Sequence, residues 1–365
     1  MIRVSIQTAS QPYDALIESG VLRSSGVYIH ELMPKVQRYY IVTVPKLRKL
    51  YGKYISDSFK SAKLEHHFVE LPDGERRKNL ATIEAAGSRM VKLGADRNSV
   101  IVALGGGVVG DMAGFLASIY MRGISFVQVP TTFLAQVDAS VGGKTGVNLE
   151  EGKNLLGTFL QPRMVIIDPG VLRSLPEREF RSGLFEALKA GIIQDARIFE
   201  FMEQNRDKIL GRDAAALEWL IAESVRVKAA VVSADEQEHG LRRILNLGHT
   251  IGHALEAETE YKHFFHGEAV AWGMVAAAMI AVGLQLTDPR TAQRIISAVL
   301  SYAPLPKVDV RPKAILKRLT SDKKTVDGKV HFILPREIGK VEVTKDVPER
   351  AVLQAVEELR YLSQA

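Results

Sequence analysis

In the first half of the chain, hydrophobic positions fall in short β-branched or aromatic runs. These are residues 38–43 (RYYIVT), 65–71 (EHHFVEL), 99–104 (SVIVAL), 124–129 (ISFVQV) and 164–167 (MVII). Runs this short, set between polar or turn-forming residues, predict strands. Stretches of helical spacing separate them; one, 79–93, closes on Gly94 in a C-cap position. Strand and helix taking turns predicts a mostly parallel α/β sheet.

The text changes around residues 168–179, where Pro169, Gly170 and Pro176 act as breakers. Beyond them the spacing is helical over 179–205, 214–234, 248–260, 267–286 and 289–302. The exception is 329–343, two extended runs around Pro335 and Gly339 that suit a hairpin. The expected division is an α/β domain over 1–175 and a mainly α-helical domain over 176–365. The longest apolar run, 269–284, is shorter than the roughly 20 residues that span a bilayer and reads as a buried helix. No basic segment followed by an apolar one opens the chain, so the cytoplasm is the expected compartment.

Composition narrows the chemistry. The chain has no cysteine, which excludes disulfides, thiolate metal sites and cysteine nucleophiles and leaves any transition metal to nitrogen and oxygen ligands. The net charge of +6 is scattered, with no basic arm or nucleic-acid module. It fits an ordinary lysine-rich surface or, more sharply, a basic cleft for an anionic metabolite. Neither a nucleic acid nor a membrane is expected as partner.

Strand 99–104 runs into Gly105-Gly106-Gly107-Val108-Val109-Gly110-Asp111 and then a helix through Ile119. Glycines allow close approach to a pyrophosphate, and a helix N-terminus offers amide donors. A tight strand-to-helix turn accounts for the same glycines. The motif lies about 100 residues into the chain, and no acidic residue ends a second strand about 20 residues later, as an ordinary dinucleotide fold requires. Dinucleotide binding would therefore take a different arrangement.

The segment LNLGHTIGHA sets His249 and His253 four apart on one helical face, and His266-Gly267-Glu268 opens the apolar helix. Upstream, Glu186 and Lys189 stand one turn apart among small and apolar residues. A buried glutamate needs a partner, and a metal is a good one. Two imidazoles and a carboxylate with an open position make a catalytic zinc set, with His249 and His253 equally eligible by spacing. The other six histidines read as surface or structural.

Taken in order, these pieces resemble the dehydroquinate synthase family. The resemblance rests on GGGVVGDMAGFLASIYMRG (105–123), VPTTFLAQVDASVGGKTGVN (129–148), GKNLLGTFLQP (152–162) and FRSGLFEALK (180–189). It continues through LRRILNLGHTIGHALE (241–256), HGEAVAWGM (266–274) and SDKK (321–324), and so spans nearly the whole chain. It implies an NAD-dependent lyase, commonly a homodimer, that converts 3-deoxy-D-arabino-heptulosonate 7-phosphate to 3-dehydroquinate. NAD transiently oxidises carbon 5, phosphate leaves by elimination, the hydride returns, and an aldol step closes the ring.

Residue by residue, the resemblance places a zinc or cobalt ion on Glu186, His249 and His266, and makes His253 a substrate contact. NAD falls on Asp73, Glu75 and Lys78, on Gly106, Gly107, Val108, Val109, Gly110 and Asp111, on Thr131 and Thr132, and on Leu172, Arg173, Ser174 and Leu175. Asp138, Lys144, Lys153 and Asn154 lie where cofactor and substrate meet. Arg122, Lys189, Lys228, Arg242, Asn246 and Lys323 or Lys324 are expected at the substrate. After the second strand the family often has Thr-Asn; here Thr43-Val44-Pro45-Lys46 stands, which removes one adenosine-ribose contact. Sister sugar-phosphate cyclases and glycerol-dehydrogenase-like oxidoreductases are the alternatives. Arg242 with Asn246 favours a substrate that bears a carboxylate.

Overall fold

The β-branched runs of the first half pair into one seven-stranded sheet. Its strands are β1 (Ile2–Ile6), β2 (Tyr13–Ile17), β3 (Arg38–Thr43), β4 (Glu65–Glu70), β5 (Val100–Gly105) and β6 (Ser125–Pro130). After a separate hairpin of β7 (Lys144–Leu149) and β8 (Gly152–Phe159) comes the last, β9 (Met164–Ile167). The spatial order is β1-β2-β9-β6-β5-β3-β4, with β1 antiparallel to β2 and the other neighbours parallel. This computed structural model describes residues 1–321 and 330–364.

Alternate residues of β3 feed two cores. Tyr40 and Val42, with Ile101 and Ala103 of β5, pack under the helices Leu80–Lys92 and Gly107–Ile119. Tyr39 and Ile41, with Val100, Val102 and Leu104, pack against Pro45–Ser61 on the other face. A parallel sheet covered on both sides needs apolar residues at every position, which is why these runs do not alternate. The helix expected over 79–93 forms as Leu80–Lys92; Asn79 caps it by accepting from the Thr82 amide at 3.0 Å.

The chain divides into two compact units: Met1–Leu175 with Leu217–Gln237, and Pro176–Ala216 with Glu238–Ala365. Most of the helix Ala214–Ala234 therefore belongs with the sheet. Among the described residues, the regular structure of the second unit is helical except for the antiparallel hairpin of β10 (Phe332–Glu337) and β11 (Lys340–Thr344). The single helix expected over 179–205 is instead two, Glu177–Ile193 and Ala196–Gln204. Asp195 caps the second by accepting from Arg197, and at Gly191 an added Cβ would lie 2.7 Å from the Phe199 amide nitrogen. That close crossing turns the chain although the apolar period runs straight through.

The helix His266–Gly283 is long and apolar enough to cross a membrane by length and composition, yet it is buried as the centre of this unit. Its neighbours approach to backbone contact. A Cβ on Gly273 would fall 1.8 Å from the Gly248 carbonyl oxygen, and one on Gly267 would fall 1.8 Å from that of Ser182. At Gly252 the same test gives 2.9 Å to the Ala269 carbonyl. Three helices thus meet through glycine, which brings their side chains into one small volume.

Gly273→Ala should lower the stability of the fold by about 3 kcal/mol, because backbone cannot yield as a side chain can. Gly87→Ala, in a helix with only an ordinary 3.6 Å contact to Leu116, should instead raise it by about 0.5–1 kcal/mol. Chemical denaturation of both variants measures the contrast.

Candidate functional site

In the helical unit the three approaching helices converge on Glu186. The side chain is 3% exposed, and among the described residues its Oε1 accepts no hydrogen bond. Oε1 lies 3.7 Å from Nε2 of His249 and 3.7 Å from Nε2 of His266, while the buried Lys189 ammonium is ion-paired with Oε2. A separation of 3.7 Å is too long for a hydrogen bond. It is close to the about 3.4 Å between two ligands of one tetrahedral ion held at about 2.0–2.1 Å.

Both imidazoles are turned the right way for this. His249 lies with Nδ1 3.2 Å from the Leu247 carbonyl, and His266 with Nδ1 3.2 Å from Glu256 Oε2. Donation from each Nδ1 leaves the Nε2 lone pairs facing Glu186. Burial holds the His249 pKa well below the usual imidazole range, with the Lys189, His266 and His253 charges acting in the same direction, so the ring is neutral. Burial also pushes His266 down, but the hydrogen bond and charge of Glu256, helped by Glu186, outweigh it and raise that group. His253 completes a second, overlapping set: ligand atoms of His249, His253 and His266 all lie within 4.8 Å of one another. The donors present suit a divalent transition ion.

Glu256 was not singled out in the sequence. Its signal was available: it follows His249 by seven residues, two helical turns, and so lies on the same face. Arg178 was not singled out either; it pairs through two nitrogens with the buried Glu268 at 2.6 and 2.8 Å, and Glu268 in turn accepts from the Phe265 amide, tying down the turn that presents His266.

In the sheet unit, the glycine turn leaves β5 and enters the helix Gly107–Ile119, whose N-terminus carries no side-chain cap. Gly105 sits over Val109, Gly106 over Thr132 and Gly110 over Gln128, each with no room for a Cβ. Thr131 is buried beside this turn, its amide bonded to Gly105 and its hydroxyl without a hydrogen-bond partner. Lys78 is 3% exposed and donates to Asp111 at 2.5 Å and to Asn154. Burial raises the Asp111 pKa, and the Lys78 ammonium opposes that rise. Glu75 accepts from Asn148 at 2.7 Å, whereas Asp73 is exposed ahead of Gly74 in its left-handed turn.

Lys228 donates to both the carboxylate and the main-chain carbonyl of Asp138, each at 2.7 Å, on a π-helical turn. Lys144 and Lys153 lie on the β7–β8 hairpin, and Arg122 stands exposed in left-handed backbone beside Met121 and Gly123. Leu172 and Leu175 are buried in the core, so of that segment only Arg173 and Ser174 present side chains outward. In the helical unit Arg242 is 2% exposed and Asn246 donates to Glu238 at 3.0 Å; Glu238 is a further polar neighbour that the sequence did not suggest. Lys323 and Lys324 lie outside the described residues.

Comparison with known proteins adds to this geometry. Residues 68–182 match the model for the N-terminal part of 3-dehydroquinate synthase, and residues 183–325 match that for its C-terminal part. The 3-dehydroquinate synthase of Koribacter versatilis is 60% identical over 363 residues, covering 100% of this chain and 99% of that protein. Among solved structures, 2-deoxy-scyllo-inosose synthase complexed with carbaglucose-6-phosphate, NAD+ and Co2+ is similar, with a TM-score of 0.88 and 29% identity. That match covers 98% of this chain and 99% of the other. The 2-epi-5-epi-valiolone synthase of Streptomyces hygroscopicus subsp. jinggangensis, with NAD+ and Zn2+ bound, gives 0.88 at 28% identity, covering 99% and 100%.

Glu256→Gln should keep the fold but weaken divalent-metal binding about 10- to 100-fold, because the ring of His266 loses its charged partner. Competition with a chromophoric chelator measures the affinity; an unchanged value would separate Glu256 from the metal.

Proposed function

Because the chain belongs to the 3-dehydroquinate synthase family, we propose that it converts 3-deoxy-D-arabino-heptulosonate 7-phosphate to 3-dehydroquinate and phosphate, using NAD and a zinc or cobalt ion. The observation that carries this reading is the buried Glu186 carboxylate, whose Oε1 accepts no hydrogen bond among the described residues and faces two oriented imidazole nitrogens at 3.7 Å. Glu186, His249 and His266 would hold the metal. His253, on the same helical face as His249, would be left for the substrate.

When bound, NAD would supply hydride transfer at carbon 5, and a metal held by Glu186, His249 and His266 would supply Lewis-acid stabilisation of charge on oxygen there. The chain supplies the rest. The Gly106–Asp111 turn and the uncapped helix start give amide donors for a pyrophosphate, with the unpartnered Thr131 hydroxyl beside them. Lys144, Lys153, Asn154 and Arg122 are suited to the leaving phosphate, whose charge grows as the bond to carbon breaks. Lys228, fixed on Asp138, and Lys189, fixed on Glu186, would direct ammonium protons at substrate oxygens. Arg242, at 2% exposure, matches the substrate carboxylate through a two-bond fork.

The carboxylate is what separates this reaction from that of the sister cyclases; the two solved ones compared above are 28–29% identical, against 60% for the synthase of Koribacter versatilis. As a member of this family the protein is expected to work in aromatic amino-acid biosynthesis in the cytoplasm, as a homodimer.

With substoichiometric NAD and added zinc or cobalt, the purified protein should release many phosphates per NAD from the heptulosonate phosphate without accumulating NADH. Glucose 6-phosphate and sedoheptulose 7-phosphate should release none. Phosphate from those two alone would identify a sister cyclase, and net NADH an oxidoreductase. Arg242→Ala should lower kcat/KM for the carboxylate-bearing substrate about 100-fold, roughly the worth of a charged two-point contact, and affect a decarboxylated analogue far less. Equal losses for both would assign Arg242 to the fold.

A further inference from the structure

The segment that delivers His266 has little regular structure of its own. It joins the helix His249–Glu258 to the helix His266–Gly283 through turns and bends, and Glu260 and Tyr261 are exposed there in left-handed backbone. Glu256 fixes how the His266 ring is turned, but not where its backbone stands. A metal ligand has to be held to within about 0.5 Å.

The helix Glu177–Ile193, which bears Glu186, supplies that hold. Arg178, in its first turn, commits three of its donors to the segment. Nε donates to Glu268 Oε1 at 2.6 Å, and Nη2 donates to Glu268 Oε2 and to the His263 carbonyl, each at 2.8 Å. Glu268 Oε2 also accepts from the Phe265 amide at 2.8 Å, and the guanidinium carbon lies 4.3 Å from the centre of the Phe265 ring. Glu268 is buried, and among the described residues Arg178 is the only cation paired with it. Four residues after Arg178, Ser182 Oγ accepts from the Gly267 amide at 3.1 Å, while a Cβ on Gly267 would strike the Ser182 carbonyl. Four residues further stands Glu186.

Positions 178, 182 and 186 share one face of the helix. The points that fix the chain on both sides of His266 are therefore set by the same face that presents the Glu186 carboxylate. Arg178 stands about 12 Å along the axis from Glu186, so it reaches the site only through the segment it holds.

We propose that Arg178 and Ser182, together with Glu268, are positioning residues for the metal site: one helix face sets the spacing between Glu186 and His266 without these three touching either side chain. The proposal rests on the reading of Glu186, His249 and His266 as metal ligands given above.

Cobalt(II), whose visible absorption bands report the geometry of its ligands, is the probe. The intact Arg178→Met protein should bind Co2+ about 10- to 100-fold more weakly, with altered bands. Glu268→Gln should behave alike, and the double variant should lose no more than Arg178→Met alone. Ser182→Ala, which removes one neutral hydrogen bond, should weaken binding about 3- to 10-fold. Arg178→Lys keeps the charge without the fork and should fall between Arg178→Met and the unaltered protein. Arg181→Met is the control. Arg181 lies on the same helix but bonds Glu177 and the Ala303 carbonyl, so its loss should lower the denaturation midpoint and leave cobalt binding unchanged. Cobalt affinity and bands unaltered in Arg178→Met, or changed equally in Arg181→Met, would make these contacts purely structural and overturn the proposal, as would additive losses in the double variant. Should Arg178→Met not fold, Glu268→Gln and Ser182→Ala decide, and unaltered cobalt binding in both contradicts the positioning. Failure of the unaltered protein to bind cobalt would instead refute the metal reading, and the proposal with it.

Discussion

A carboxylate sealed in a helical core, with one oxygen on a lysine and the other without a donor among the described residues, is the constraint from which the helical unit is best understood. Glu186 ionised in that position is costly unless positive charge reaches it, and Lys189 supplies that on only one oxygen. On the other, two imidazoles converge at a spacing that suits shared ligands and not a hydrogen bond. Glu256 and the Leu247 carbonyl then make sense as the partners that fix which ring nitrogen looks inward. A cation at this point would satisfy all of them together.

Packing makes that convergence available. Gly248, Gly252, Gly267 and Gly273 let the helices bearing Glu186, His249 and His266 touch backbone to backbone, so side chains of ordinary length meet. A methyl group at Gly267 or Gly273 would have to displace a main-chain carbonyl. In the sheet unit glycine serves a parallel end: Gly105, Gly106 and Gly110 let the turn after β5 sit flush against Val109, Thr132 and Gln128. In both units the reactive groups depend on where a side chain is missing.

Much of this was legible in the sequence because burial on both faces leaves unbroken apolar runs. β3 and β9 occupy the residues that their composition marked, and the glycine-turn helix ends at Ile119 as its pattern indicated. The helix pair around Gln194 was not legible, since apolar periodicity runs through the break and only the contact of Gly191 with Phe199 reveals the crossing. β1, β2 and the β7–β8 hairpin were passed over: β1 mixes polar with apolar residues, and β8 is glycine-rich and largely exposed. Which unit the Ala214–Ala234 helix joins is likewise not written in its period. At the site, residue types and spacing marked His249, His253, His266 and Glu186 as candidates without choosing between His249 and His253, and did not mark the partners that orient them. Glu256 and Glu268 look like ordinary surface acids until their burial is known.

The most direct test is diffraction from crystals grown with zinc, recorded above and below the zinc absorption edge. The account predicts one anomalous peak in the helical unit, about 2.0–2.2 Å from a Glu186 oxygen and from Nε2 of both His249 and His266. A peak bound by His253 in place of Glu186, or none among these residues, would contradict it.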